Sequence, residues 1–134
     1  MQPARHSNVQ SLSPGMEDIV SLEQDLLAIE DNFWTGGPEA YRRHADENCL
    51  VAFSEFAGVM SNDDIAKAAA KGRWSEVSLK PKGIARLSDT SAVITYECNA
   101  KRQDGQPYHA LLSSGYGKRS DGWKLAFHQQ TSLP

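Results

Sequence analysis

Three stretches decide the fold: Ser91–Arg102 (SAVITYECNAKR), Pro107–Arg119 (PYHALLSSGYGKR) and Trp123–Thr131 (WKLAFHQQT). Each is long and rich in strand-favouring residues. The turns between them carry Asp104-Gly105 and Asp121-Gly122, the strongest short hairpin signal. The three runs therefore read as an antiparallel meander. If Asp104-Gly105 sits at the centre of a four-residue connection, Arg102 lies opposite Pro107 and Tyr96 opposite Ser113. If Asp121-Gly122 is a two-residue turn, Tyr116 lies opposite Phe127 and Gly115 opposite His128. One face then carries Ile94, Tyr96, Cys98, His109, Leu111, Ser113, Ala126, His128 and Gln130. The other carries Val93, Thr95, Glu97, Leu112, Ser114, Tyr116, Leu125, Phe127 and Gln129. A one-residue bulge would exchange part of this assignment, and the sequence leaves open which face is concave.

Upstream the period changes. Ser13-Pro14 opens a helix, with Ser13 as N-cap and Pro14 at the first helical position. Ile19, Leu22, Leu26, Ile29 and Phe33 share one face, widened by Leu27 and Trp34, and Gly36-Gly37 ends it. Pro38 starts a short second helix, with Tyr41 and Ala45 inward and Arg42 and Arg43 outward. Cys49–Phe56 reads as a strand and Gly58 as a turn. Ser61-Asn-Asp-Asp64 resembles a capping box that starts a third helix over Ile65–Lys71, stopped by Gly72. Trp74–Leu79 is extended, Pro81 and Gly83 break it, and Ile84–Leu87 begins another short strand. Helices segregated from a run of antiparallel strands make an α+β domain, with the helices covering one sheet face. Residues 1–13 are polar and read as a loose lead-in to one domain over 14–134.

Composition excludes several classes. The chain has 134 residues, 40% hydrophobic and 23% charged, with a net charge of −3, ordinary for one globular domain. Basic residues are scattered, so nucleic acid is not an expected partner. No apolar run approaches a membrane span and no apolar signal segment opens the chain. Cys49 and Cys98 read as buried thiols of a cytoplasmic protein.

Several motifs together carry a family resemblance: Trp34-Thr-Gly-Gly, Tyr41-Arg-Arg-His-Ala, Val51-Ala-Phe, Gly58-Val-Met-Ser-Asn-Asp-Asp-Ile65, Ala92-Val-Ile-Thr-Tyr96, Asp104-Gly-Gln-Pro-Tyr108 and Asp121-Gly-Trp-Lys-Leu125 with His128-Gln129-Gln130-Thr131. In this order and spacing the chain resembles the nuclear transport factor 2-like (SnoaL-like) α+β cones, of the group called DUF4440. The resemblance implies a curved sheet around a helix-capped pocket and, commonly, homodimers formed across the sheets. It implies no single activity, since this fold hosts isomerases, dehydratases and association domains alike.

Candidate site residues follow. Tyr96, His109, Ser113, His128 and Gln130 could converge on a ligand of apolar or mixed polarity, with Tyr116 near a second polar set; the plainer reading is that His128 and Gln130 satisfy buried backbone or line an interface. Trp74, after a helix stop, could form the pocket's lip. Glu55 lies near where ketosteroid isomerases of this fold keep an aspartate base, and Glu55 or His128 could abstract a proton. Against that, the first helix offers no tyrosine, so the oxyanion-stabilising pair of those isomerases does not carry over. The plainer reading of Glu55 is a solvated strand-end charge. The four histidines show no ligand spacing, and no phosphate loop or nucleophile elbow is present, so neither metal nor cofactor is expected. The leading expectation is a small-molecule-binding protein. The rivals are an isomerase or dehydratase acting beside a carbonyl, and an association module.

Overall fold

The structure, a computed structural model, describes residues 14–70 and 74–134. Helix α1 (Pro14–Thr35) buries Leu22, Leu26 and Phe33, the stripe expected from their spacing. It ends where the glycines stand: the Gly36 N–H donates to the Asn32 carbonyl at 2.6 Å, and Gly37 takes φ 77°. The expected Ser13 cap lies outside the described residues. Helix α2 (Pro38–His44) has proline in its first turn. Strands β1 (Ala45–Ala52) and β2 (Ala57–Ser61) follow, then helix α3 (Asn62–Ala69). The Ser61 hydroxyl caps α3 by accepting from the Asp64 N–H at 3.1 Å. The expected stop at Gly72 lies outside the described residues. Strands β3 (Trp74–Ser88), β4 (Ser91–Arg102), β5 (Pro107–Arg119) and β6 (Gly122–Ser132) complete the chain.

All six strands form one sheet in the order β2-β1-β6-β5-β4-β3. The sheet is mixed rather than purely antiparallel, because β6 inserts between β5 and β1 and runs parallel to β1. The first strand lies earlier than expected. It stops at Ala52, and Phe53–Phe56 is a turn closed by the Phe53 N–H on the Phe56 carbonyl at 2.8 Å. Gly58, expected in a turn, lies in β2. Pro81 and Gly83 do not divide β3, which continues for 15 residues. An edge strand tolerates a proline, and the register shift between Pro81 and Gly83 absorbs the irregularity.

Register corrects the face assignment. The β4–β5 register is one residue tighter than expected, with Lys101 and not Arg102 opposite Pro107: the Arg102 N–H donates to the Gln106 carbonyl at 2.8 Å, and Gly105 takes φ 85° while donating to the Arg102 carbonyl at 2.9 Å. Tyr96 therefore faces Leu112, and Ile94 faces Ser114. The next turn is Ser120-Asp121, so Arg119 pairs with Gly122, and a bulge between Gly115 and Tyr116 sets Tyr116 opposite Leu125 and Ser114 opposite His128. The inner face, under the helices, carries Ile94, Tyr96, Cys98, Leu112, Ser114, Tyr116, His128 and Gln130. His109 and Ser113 belong to the outer face with Thr95 and Glu97.

The core joins Leu22, Leu26 and Phe33 of α1 to Ile94, Tyr96, Leu112 and Leu125 of the sheet. Each such side chain contributes roughly 1.5–3 kcal/mol on burial. Cys49 and Cys98 are buried and free, and burial pushes both thiols up to about 12. Among the described residues no helix is long and apolar enough to cross a membrane.

Candidate functional site

The end of α1, helix α3 and the inner faces of β1 and β6 enclose a half-open cavity of about 380 Å³. Its wall is mostly apolar: Phe33, Trp34, Tyr41, Val51, Phe53, Met60, Ile65, Trp74 and Leu125. The polar groups in that wall are few, chiefly Glu30, His128 and Gln130. Such a mixture, at the small end of the roughly 300–1,000 Å³ typical of ligand pockets, is the usual make-up of a small-molecule site.

Glu30 is 1% exposed. It stands four residues after Leu26 and three before Phe33, so the apolar stripe of α1 carries it against the sheet. Tyr96 donates its hydroxyl hydrogen to Glu30 Oε1 at 2.5 Å, and Tyr116 donates to Oε2. The indole N–H of Trp34 donates to the Tyr96 oxygen at 3.1 Å, which commits the Tyr96 proton to Glu30. Both carboxylate oxygens thus accept, the arrangement that suits an ionised group. Burial, and then the Glu30 charge, raise both tyrosines well above the ordinary phenol value, so they remain donors. Tyr41, stacked on Phe33 with ring centres 4.4 Å apart, is raised for the same two reasons in the same order. No ion pair reaches Glu30 among the described residues.

A second polar run climbs the inner face. The Ser114 hydroxyl lies 2.9 Å from His128 Nδ1, and His128 Nε2 lies 3.0 Å from Gln130 Oε1. Gln130 Nε2 then donates to the Tyr108 hydroxyl at 2.7 Å. Because the Gln130 oxygen faces the ring, His128 carries a proton on Nε2; in the neutral ring Nδ1 accepts from Ser114. At the mouth, Trp74 packs edge-on against Trp34 (ring centres 5.0 Å apart) and tilted against Tyr108 (4.8 Å). The Arg102 guanidinium covers Tyr108 at 4.7 Å and Trp74 at 5.4 Å.

The structure brings together Trp74, Tyr96, Tyr116, His128 and Gln130 at or under the cavity. It does not bring in His109 or Ser113. His109 meets Glu97 on the outer face, and Ser113 Oγ lies 3.4 Å from Thr95 Oγ1 there. Glu55 is exposed in the turn after β1, bonded to Ser54, beside a shallow depression shared with Arg102 and Tyr108. Glu30 was missed by the reading of the sequence. The available signal was a charged residue inside the apolar stripe of α1, a position where only a partnered or functional carboxylate survives. Among the described residues no three His, Cys, Asp or Glu side chains group as a metal site.

No family model and no curated protein matches the sequence. Solved structures do match. A ketosteroid isomerase-like protein from Erwinia carotovora atroseptica superposes with a TM-score of 0.72 at 14% identity, over 88% of this chain and 98% of that one. An NTF2-like protein of unknown function from Prochlorococcus marinus gives 0.68 at 15% identity, over 84% and 93%. The association domain of C. elegans CaMKII gives 0.66 at 12% identity, over 86% and 98%. The chain thus has the nuclear transport factor 2-like fold: an α+β cone with the helices in front of the sheet.

Proposed function

We propose that the protein binds a small, largely apolar molecule in the cavity between α1, α3 and the inner sheet face. The observation that carries this is the composition of the cavity wall: aromatic and aliphatic side chains interrupted by Glu30, His128 and Gln130. The rival reading, proton transfer beside a carbonyl, is favoured less. Both nitrogens of His128 and both oxygens of Glu30 are already engaged, and Glu55 stands outside the cavity. A base must come within hydrogen-bond reach of the proton it takes.

Trp34 and Trp74 wall the cavity, so ligand entry should change tryptophan emission as well as raise the melting temperature. A panel of small cyclic and aromatic compounds, read by both signals, tests the reading. If no compound moves either signal, it fails.

A second copy of the chain is the favoured partner. On the outer face, Val59, Leu50, Phe127, Gly115, Val93 and Ala85 form one row of apolar cross-strand neighbours. Leu50 is 50% exposed and Val59 65%, an apolar strip of the kind that interfaces cover. Light scattering after size exclusion should give a homodimer, and Phe127→Asp should give a monomer; a wild-type monomer at every concentration rejects this. The two free, buried thiols suit a reducing, cytoplasmic setting.

A further inference from the structure

We infer that the ligand of this cavity is cationic: a small apolar amine or quaternary ammonium, held by the Glu30 charge and the aromatic wall. The inference rests on the binding reading above and adds the sign of the charge.

Three independent features point the same way. The first is Glu30 itself. Its oxygens accept from two neutral phenols, which orient the carboxylate and leave its net charge in place. A charge in a low-dielectric site without a counter-ion exerts a strong field on whatever enters. The second is the end of α1. Thr35 and Gly37 line the cavity, and the last turn of α1 holds no basic residue. The negative end of the α1 dipole therefore adds to the Glu30 field, offset in part by the N-terminus of the seven-residue α2, whose N-cap is Gly37. The third is the wall. Phe33, Trp34, Tyr41, Phe53 and Trp74 offer ring faces and edges, the surface that attracts a poorly hydrated cation. No lysine or arginine lines the cavity among the described residues. An anionic ligand would meet a repulsive field, and a neutral one would leave the Glu30 charge uncompensated.

Among the described residues, Arg102 and Lys124 are used elsewhere. Arg102 is spread over the outer surfaces of Trp74 and Tyr108 at the rim. Lys124 bonds the Arg43 carbonyl at 2.6 Å and pairs with Asp121 at 3.2 Å. Neither is directed at Glu30.

The test uses three probes of nearly one shape on the wild-type chain: benzyltrimethylammonium, its uncharged carbon isostere neopentylbenzene, and anionic phenylmethanesulfonate. Tryptophan emission and melting temperature are the readouts. The cation should bind at least about ten-fold more tightly than the neutral isostere, and the sulfonate should not bind. Glu30→Gln should bring the cation and its isostere to within about three-fold of each other. If that variant does not fold, the wild-type ratio of the matched pair decides alone. Equal or tighter binding of neopentylbenzene overturns the charge assignment and leaves the binding reading standing. Failure of all three probes, and of the wider panel, removes both.

Discussion

Tyr96 and Glu97 are consecutive residues of β4, and they serve two carboxylate clusters on opposite sides of the same sheet. Inside, Glu30 is held by the Tyr96 and Tyr116 hydroxyls, 1% exposed and with no cation against it among the described residues. Outside, Glu97 bonds His109 and lies 3.4 Å from the Lys82 ammonium, in reach of solvent. By a count of ion pairs the outer cluster looks the stronger. The physics reverses that order. Water and salt compete with every outer partner, whereas the inner donors face no competitor, and losing one strands a buried charge. The two clusters also differ in purpose: the outer one neutralises its carboxylate, and the inner one keeps it charged beside a cavity.

The largest contrast is expected in thiol chemistry. Cys49 and Cys98 share the protected side, and with thiols lifted from 9.0 to about 12 their thiolate fraction falls by roughly a thousandfold. At pH 8 a thiol-specific reagent should label neither in the folded protein and both in denaturant. Rapid labelling without denaturant would show that the inner side is open to water. Next in size, Tyr96→Phe removes a donor from Glu30 and the acceptor of the Trp34 N–H, and should lower the unfolding free energy by about 2–3 kcal/mol in urea titrations. Tyr116→Phe, which loses the Glu30 contact alone, should cost about 1.5–3 kcal/mol and no more than its counterpart. If either costs as little as a surface change, the inner cluster is not what holds Glu30.

The smallest effect belongs outside. The His109 contact, followed by Lys82, holds the Glu97 carboxyl below its ordinary value of 4.5. A depressed carboxyl contributes stability that is present above 4.5 and is lost as pH falls through its folded value. Glu97→Gln should therefore change the melting temperature only slightly at neutral pH, less still in high salt, and not at all in strong acid. A loss as large as that of Tyr96→Phe would erase the distinction between the two faces.

The helices, the meander and the α+β cone were legible because periodicity, caps and turn residues are local signals. The 22-residue helix α1, its Gly36-Gly37 stop and the Ser61 cap of α3 all follow from residues a few positions apart. Long-range pairing was not legible: nothing near Ala45–Ala52 says that its neighbour is the last strand, running parallel. The faces failed in an instructive way. The grouping of Tyr96 and Cys98 of β4 with His128 and Gln130 of β6 on one face, whose direction the sequence left open, was read correctly, because the tighter first connection and the shifted, bulged second hairpin compensate. β5, between the two errors, was turned over, which exchanged Ser113 for Ser114 and His109 for Tyr108, and the start of β6 was turned over with it, so that Leu125 lies on the inner face. The site was only partly readable for a related reason: Glu30 acquires its meaning from Tyr96 and Tyr116, 66 and 86 residues away.

The rim strand β3 bears on how copies of this chain can meet. Its backbone is interrupted three times by register shifts, Pro81 offers no N–H to a neighbour, and Lys80 and Lys82 stand exposed on either side of that proline. A seventh strand laid alongside would find missing donors, uneven spacing and positive charge. Growth of the sheet by lateral addition, the route to open-ended fibres, is thereby discouraged. Contact between copies is directed away from this edge, toward the broad outer flank or the short opposite edge strand β2.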